Sequence, residues 1–188
     1  MELKIVKFFN RLWKGTFVDE VTDFVSRILY LAAFWMVVTI GIFFFAPNGR
    51  VVAIAMTIAA ALHFLISEGL IKHLFVKYFH KTRPYMAHPE EITPIGRKHS
   101  DSSFPSSHMA ANLSVLTVIL IFYPSLWPIV LIFTLLLAYA RLHNGMHYLS
   151  DVAAGTILGI FYGIAGTYLT KCLLLFFQPA FDFLKNLL

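Results

Sequence analysis

The sequence feature that most constrains the fold is the run 109–140, which contains 32 residues and no charged side chain. At about 1.5 Å per residue, a helix of this length is too long for a single crossing of a hydrocarbon layer of roughly 30 Å. Pro124 and Pro128 divide the run. This punctuation predicts two helices, at about 106–123 and 127–143, joined by a tight turn.

The composition agrees with a membrane protein. Hydrophobic residues make up 59% of the chain and charged residues 13%, whereas a soluble domain is about one quarter charged and a disordered chain contains few apolar residues. The net charge of +5 would suit nucleic acid or anionic lipid, but the apolarity predicts lipid as the partner and no nucleic-acid partner. Cys172 is the single cysteine, so no disulfide framework exists.

Three more segments are apolar enough to cross a membrane, at about 28–46, 51–79 and 150–177. The second segment carries charges toward its far end, where bare lipid would disfavour them. These charged residues are Glu68, Lys72 and Lys77. The last segment contains glycines at four-residue spacing (Gly155, Gly159 and Gly163). This spacing predicts close packing against a neighbouring helix.

The opening segment 1–20 differs from the rest, because apolar and basic residues alternate there in a roughly helical pattern. We expect an amphipathic helix on the membrane surface rather than a cleavable signal peptide, whose apolar stretch would not be interrupted by charge. The fold class predicted is therefore an all-α integral membrane protein. It forms one domain over 1–188, a bundle of about five transmembrane helices plus an N-terminal amphipathic interfacial helix.

Polar residues concentrate in a loop at about 80–105 and in a short connection at 141–151, both predicted at the same membrane face. Antiparallel helices joined by short turns bring such ends together. The converging residues are Lys72 or Lys77, Arg83, Ser106, Ser107, His108, Arg141, His147 and Asp151. Because cations dominate this set, it predicts a pocket for a polyanion, and phosphate is the commonest polyanion that lipids offer.

The spacing within this set indicates a chemistry. His147 and Asp151 are four residues apart at a predicted helix start, so the carboxylate can hold one ring N–H and leave the other nitrogen free to attack phosphorus. Ser106 and Ser107 lie at a helix N-terminus, where unpaired N–H groups favour an anion. His108, in the same turn, is placed to protonate the leaving oxygen.

Three short motifs occur in order across the middle of the chain, each at a predicted helix end. They are Arg83-Pro84, Pro105-Ser106-Ser107-His108, and Ala140-Arg141 followed by His147 and Asp151. The set resembles the motifs of the type 2 phosphatidic acid phosphatases, a membrane lipid phosphatase superfamily. The resemblance covers about half of the chain, from Lys72 to Asp151.

The resemblance implies hydrolysis of a lipid phosphate through a covalent phosphohistidine, without a metal or other cofactor. The resemblance makes His147 the nucleophile, and it makes His108 first the general acid and then the general base. Arg83, Arg141 and a lysine would neutralise the phosphate. Similar bacterial enzymes act on lipid A 1-phosphate, undecaprenyl diphosphate or phosphatidylglycerophosphate, and the motifs do not choose among these substrates.

The sequence departs from the family pattern at three positions. The family's lysine, seven residues before the motif arginine, is replaced by Val76, which leaves Lys72 and Lys77 as alternatives. Ser107 stands where the family has glycine, which restricts backbone approach to phosphate. Ala140 stands where a serine is usual. Neither of the last two changes removes a catalytic role.

Two other functions remain as alternatives. His143 and His147 are four apart, with Asp151 nearby, and could ligate the metal of a metal-dependent hydrolase, although the surrounding arginines would repel a divalent ion. A non-enzymatic membrane anion or lipid carrier would need only solvated polar loops. Such a carrier gives no reason to assemble two arginines with two histidines.

The compact chain predicts a multi-pass protein of the bacterial inner membrane. Twelve of the 15 Lys and Arg residues lie on the face of the polar loops, which by charge counting alone would be cytoplasmic. Several of these cations belong to the candidate site, however, and similar enzymes commonly act outside. We therefore expect the active site at the periplasmic face.

Overall fold

The computed structural model describes residues 1–75 and 80–185, with side chains described for 1–72 and 80–179. These residues contain helices and no strand. The α-helices are α1 (Glu2–Arg11), α2 (Phe17–Val25), α3 (Ile28–Phe45), α4 (Gly49–Leu62), α5 (Pro84–Ala87), α6 (Ser107–Phe122), α7 (Trp127–His143) and α8 (Leu149–Lys185). A π-helical segment, His63–Phe75, continues α4, and a 3₁₀ turn, Pro124–Leu126, precedes α7.

Four helical stretches of the described chain are long and apolar enough to cross a membrane. They are Ile28–Phe45, Gly49–Lys72, Pro124–His143 and Leu149–Pro179. α6 is a shorter apolar helix that packs against α4, α7 and α8. Most of its residues between Met109 and Ile119 are buried. The all-α membrane fold is therefore confirmed, and this is a multi-pass membrane protein with α6 at the centre of the bundle.

The predicted helix bounds agree closely with those observed for α3, α6 and α7. α8 continues beyond the predicted end at 177 to Lys185. The predicted helix 51–79 begins at Gly49 and changes to π-helical geometry at His63, while its last residues, 76–79, lie outside the described part of the chain. π-Helical geometry is rare and is found most often at functional sites, and here it carries Lys72.

Glycines of α8 allow α6 to approach closely. A Cβ added at Gly159 would lie 2.5 Å from the Leu113 Cβ and 2.7 Å from the Ala110 carbonyl oxygen. Gly155 faces the Ser106 carbonyl in the same way. The four-residue glycine spacing is thus a packing device, as expected, and it holds the start of α6 beside the start of α8.

The N-terminal segment forms two helices, α1 and α2, where the sequence predicted one. Between them, Trp13 and Gly15 adopt positive φ angles of 63° and 78°. α1 contacts α7 and α8, and its Val6 is fully buried, whereas Phe17 and Phe24 of α2 are largely exposed. The predicted amphipathic character is present, but the apolar side of α1 contacts protein.

Asn10 connects α1 to the polar end of the bundle. It is 1% exposed, and its Nδ2 donates to the carbonyls of Thr93 at 2.8 Å and His143 at 2.6 Å. Its Oδ1 accepts from the Thr93 N–H at 3.0 Å. Since one buried amide satisfies groups on the loop and on α7, α1 holds the 80–105 loop against the end of α7.

Replacing Gly159 with alanine is expected to destabilise the bundle. The added methyl group must displace Leu113 or the α6 backbone, which costs about 1–3 kcal/mol for overpacking. The matched control is Gly41→Ala on α3, where nothing lies within 4 Å of the added Cβ. Thermal unfolding in detergent should show a lower Tm for the first variant only. Equal midpoints for the two variants would contradict the packing role.

Candidate active site

Four chain segments meet at one end of the bundle: the end of the π-helical segment, the 80–105 loop, the start of α6 and the connection between α7 and α8. Arg83 Nη1 lies 3.4 Å from His147 Nε2 and donates to the Met146 carbonyl at 3.2 Å. The Ser106 N–H donates to the Asp151 carbonyl at 3.1 Å. The three sequence motifs are therefore in contact.

His147 is buried, and both of its ring nitrogens have defined neighbours. Nδ1 donates to the Ser103 carbonyl at 2.7 Å, while the nearest Asp151 oxygen is 4.0 Å from Nδ1. This corrects the prediction that Asp151 accepts the ring N–H, because the backbone of the 80–105 loop accepts it instead. With the proton on Nδ1, Nε2 carries the lone pair and faces Arg83.

Asp151 is fully buried and accepts two hydrogen bonds. Oδ2 accepts from the Tyr148 N–H at 2.8 Å, which caps the start of α8. Oδ1 accepts from Lys81 Nζ at 2.8 Å, and Lys81 also donates to the Ser150 hydroxyl at 2.7 Å. The carboxylate thus contributes negative charge near His147 without touching it. Sequence analysis missed Lys81, although it lies two residues before Arg83.

A chain of ion pairs links Arg83 to the π-helical segment. Arg83 Nη2 donates to Asp101 Oδ1 at 2.8 Å, and Lys72 Nζ lies 3.3 Å from Asp101 Oδ2 and 2.9 Å from Glu68 Oε2. Burial alone would raise the pKa of Asp101, but Arg83 and Lys72 hold it below its ordinary value. Of the two candidate lysines, Lys72 lies at the site, and Lys77 falls outside the described residues.

Several buried donors near His147 have no hydrogen-bond partner within the described residues. They are Nε and Nη1 of Arg141 and the hydroxyls of Ser103 and Ser106. A buried guanidinium without an acceptor is costly unless an anion completes its hydrogen bonds. Phosphate oxygens carry negative charge and lone pairs, so they can accept the hydrogen bonds for which these donors have no partner. Ser103 is a further residue that sequence analysis missed, since it lies outside the three motifs.

The two residues after Ser106 have partners that differ from the prediction. The Ser107 hydroxyl donates to Glu68, so this side chain does not offer its proton to phosphate. His108 Nε2 donates to the Ser26 carbonyl at 2.8 Å. The first intrahelical bond of α6 is donated by Ala110 to Ser106, so the N–H groups of the first turn have no acceptor within the helix and can donate to an anion.

His143 does not join His147 in a metal site. Its Nε2 lies 2.8 Å from Asp19 Oδ1 and its Nδ1 lies 2.9 Å from the Phe9 carbonyl. Both nitrogens therefore face oxygens of the N-terminal helices, which speaks against the metal-dependent alternative built on His143 and His147. Another group, His88 with Glu90 and Glu91, has ligand-like spacing on the surface, but Lys7 forms an ion pair with Glu91.

Burial holds the pKa of His147 well below its ordinary value, and the nearby cations Arg141 and Arg83 lower it further. The hydrogen bond to Ser103 opposes this shift and is outweighed. The imidazole is therefore neutral near pH 7. A neutral ring with an unprotonated Nε2, beside donors that can bind phosphate, can act as a nucleophile toward phosphorus.

Comparison with known proteins agrees with this geometry. The family model described as the PAP2 superfamily matches residues 55–173, which include all three motifs. The chain belongs to the PAP2 superfamily. Two curated relatives are the bacitracin transport permease protein BcrC of Bacillus licheniformis, 29% identical over 105 residues, and the undecaprenyl-diphosphatase BcrC of Bacillus subtilis, 30% identical over 99 residues.

The matches cover part of each protein. They span 56% of this PAP2 chain and 51% of the Bacillus licheniformis protein, and 52% of this chain and 50% of the Bacillus subtilis protein. The chain thus spans about half the length of the curated relatives it matches. No solved structure matches the chain. The N-terminal helices α1 and α2 lie before the PAP2 region, yet Ser26 and Asn10 contact its polar end.

The lowered pKa of His147 predicts the acid limit of activity in this PAP2 protein. A group with a depressed pKa stays unprotonated until the pH falls below the ordinary histidine value of 6.5. The acid limb of kcat/KM should therefore lie below pH 6.5. Arg83→Gln removes one of the cations that lower this pKa, so the limb measured on the residual activity should move upward.

The matched control is Lys98→Gln, an exposed cation on the same loop that is not among the groups that shift His147. This variant should leave the limb in place. An upward movement of the same size in both variants would show that general surface charge, rather than the Arg83–His147 contact, sets the limb.

Proposed function

We propose that this protein hydrolyses the terminal phosphate of a membrane lipid phosphate or diphosphate through a phosphohistidine on His147, without a metal. The observation that carries the proposal is the buried Arg141 guanidinium, with two nitrogens that lack partners among the described residues, close enough to the buried His147 for its charge to help keep that imidazole neutral. The name of the Bacillus subtilis relative, undecaprenyl-diphosphatase, supports a prenyl diphosphate as the substrate.

In the first step, His147 Nε2 attacks the terminal phosphorus, an N–P bond forms and the bond from phosphorus to the leaving oxygen breaks. Nδ1–H stays on the Ser103 carbonyl, and Asp151 stabilises the positive charge that the ring acquires. His108 gives a proton to the leaving oxygen. Burial and then Arg141 hold the pKa of His108 well below its ordinary value, so the ring takes up its second proton only when the phosphate anion offsets the nearby cations. That proton, on Nδ1, goes to the leaving oxygen, while Nε2–H stays on the Ser26 carbonyl.

In the second step, water attacks the phosphohistidine, His108 accepts a proton from it and the N–P bond breaks to release phosphate. Arg83, Arg141 and Lys72 neutralise the negative charge on the equatorial oxygens in both steps. Asp101 pairs with Arg83 and Lys72 in the structure and is 46% exposed, so an arriving phosphate can displace it toward water.

Substitutions separate the reacting groups from the surface charges. We expect His147→Ala to abolish phosphate release from purified lipid phosphates, because no other group can form the N–P bond. His108→Ala and Arg141→Ala should each lose about 10²–10⁴-fold in kcat, the range for general acids and for charge stabilisation. Lys98→Ala, at an exposed lysine of the same loop, should change little. Near-normal turnover by the His147 variant would refute the assignment.

The covalent step and the metal requirement can be tested in one preparation. Acid quenching during turnover with labelled undecaprenyl diphosphate should trap acid-labile phosphate on the wild-type protein and none on His147→Ala. EDTA should leave the rate unchanged. Loss of activity with EDTA and recovery with zinc would instead support a metal-dependent hydrolase.

We also propose that the site lies at the periplasmic face of a bacterial inner membrane. His88 lies on the 80–105 loop outside the pocket, and the single native cysteine can be removed by Cys172→Ser. In that background, His88→Cys should react with an impermeant thiol reagent in intact cells with a permeable outer membrane. Reaction only after the inner membrane is broken would place the site in the cytoplasm.

A further inference from the structure

Two cavities of the described chain meet at the start of α3. The first, of about 620 Å³, contains His108 and Arg141 among its lining residues and also includes Arg27 and Tyr30. The second, of about 280 Å³, is also lined by Tyr30. The Tyr30 side chain therefore lines both the polar cavity of His108 and Arg141 and a second, adjoining space.

The second space is an apolar groove between α2, α3 and α7. Its walls include Phe24, Tyr30, Leu31, Phe34, Phe133 and Leu137. The Phe34 and Phe133 rings stack across it, with centroids 5.6 Å apart and planes 11° apart. Phe24 and Tyr30 lie 4.9 Å apart at its other end. Because α3 and α7 are membrane-spanning helices, the groove faces hydrocarbon.

A different apolar groove shows that an apolar lining by itself does not identify a binding site for a lipid chain. It lies between α3 and α4 and is lined by residues that include Ile40, Phe43 and Ile54. It shares no lining residue with the cavity of His108 and Arg141. The α2–α3–α7 groove differs in sharing a lining residue, Tyr30, with that cavity.

We propose that the α2–α3–α7 groove binds the prenyl chain of the substrate next to its diphosphate, an inference that rests on the proposed function. The groove has room for on the order of nine water-sized groups at about 30 Å³ each. That is close to two isoprene units of a single chain. The rest of a long prenyl chain would remain in the bilayer.

The junction fits the head of such a substrate. The Arg27 guanidinium lies 5.7 Å from the Tyr30 ring centroid and also lines the polar cavity. It donates to Asp23 Oδ2 at 2.8 Å, so a phosphate that binds there replaces this partly exposed ion pair. A diphosphate that extends from Arg141 toward Arg27 would place its first methylene at Tyr30, where the lining changes from polar to apolar. The start of α3 thus separates phosphate binding from chain binding.

The test uses Leu136→Trp, which fills the groove from a lining position, and Leu135→Trp as its matched control. Both leucines belong to α7, and they are 61% and 59% exposed, but only Leu136 lines the groove. Hydrolysis of dimethylallyl, geranyl and farnesyl diphosphate and of a dioleoyl phosphatidic acid is measured for the full chain in detergent. For the wild type, the KM should be lower for geranyl diphosphate, with two isoprene units, than for dimethylallyl diphosphate, with one. It should change little between geranyl and farnesyl diphosphate.

Leu136→Trp should raise the KM for farnesyl diphosphate about tenfold, which corresponds to the loss of one to two buried methylene groups. Its KM for dimethylallyl diphosphate should stay within about twofold of wild type, and so should the KM of Leu135→Trp for farnesyl diphosphate. Equal effects of the two variants on farnesyl diphosphate would overturn the groove assignment. An equal effect of Leu136→Trp on phosphatidic acid would overturn the single-chain occupant. If no prenyl diphosphate is hydrolysed by the wild type, the proposed function itself fails.

A second variant keeps the test valid if Leu136→Trp does not fold. Phe34→Ala removes one ring of the stacked pair from a partly exposed position. It should raise KM for farnesyl diphosphate and spare dimethylallyl diphosphate. A loss of the same size on both substrates would contradict a role in chain binding.

Discussion

The structure depends above all on one constraint: a buried cation is held at the membrane face, where it can bind an anion. Arg141 is buried at the end of α7, two of its nitrogens lack partners in the described chain, and Arg83 lies against His147 nearby. Such an arrangement is costly in the absence of an anion. The surrounding helices must therefore pack well enough to offset it, and the glycine contacts between α6 and α8 supply that packing.

The same cations decide the chemistry of the histidine. Their charge, together with burial, keeps His147 neutral, and the Ser103 carbonyl determines which nitrogen carries the proton. In this arrangement a phosphate brought in by arginines meets an unprotonated Nε2. Phosphoryl transfer needs mainly positioning and charge neutralisation, and both come here from side chains on four separate segments.

The N-terminal helices are part of the site although they lie outside the PAP2 region. Asn10 holds the 80–105 loop, Asp19 contacts His143, and the Ser26 carbonyl orients His108. α2 also leads directly into the start of α3, where the polar cavity meets the apolar groove. A segment that reads as a membrane-surface helix therefore positions reactive groups and forms one wall of the proposed chain site.

The sequence by itself determined the helical membrane fold, the bounds of α3, α6 and α7 and the three motifs, because hydropathy, proline punctuation and residue spacing are local properties of the chain. It could not determine that Ser103 rather than Asp151 accepts from His147, that Lys81 pairs with Asp151, or that Ser107 turns to Glu68. Only the tertiary structure decided these contacts. They join residues distant in the chain, and their geometry depends on how closely the helices pack.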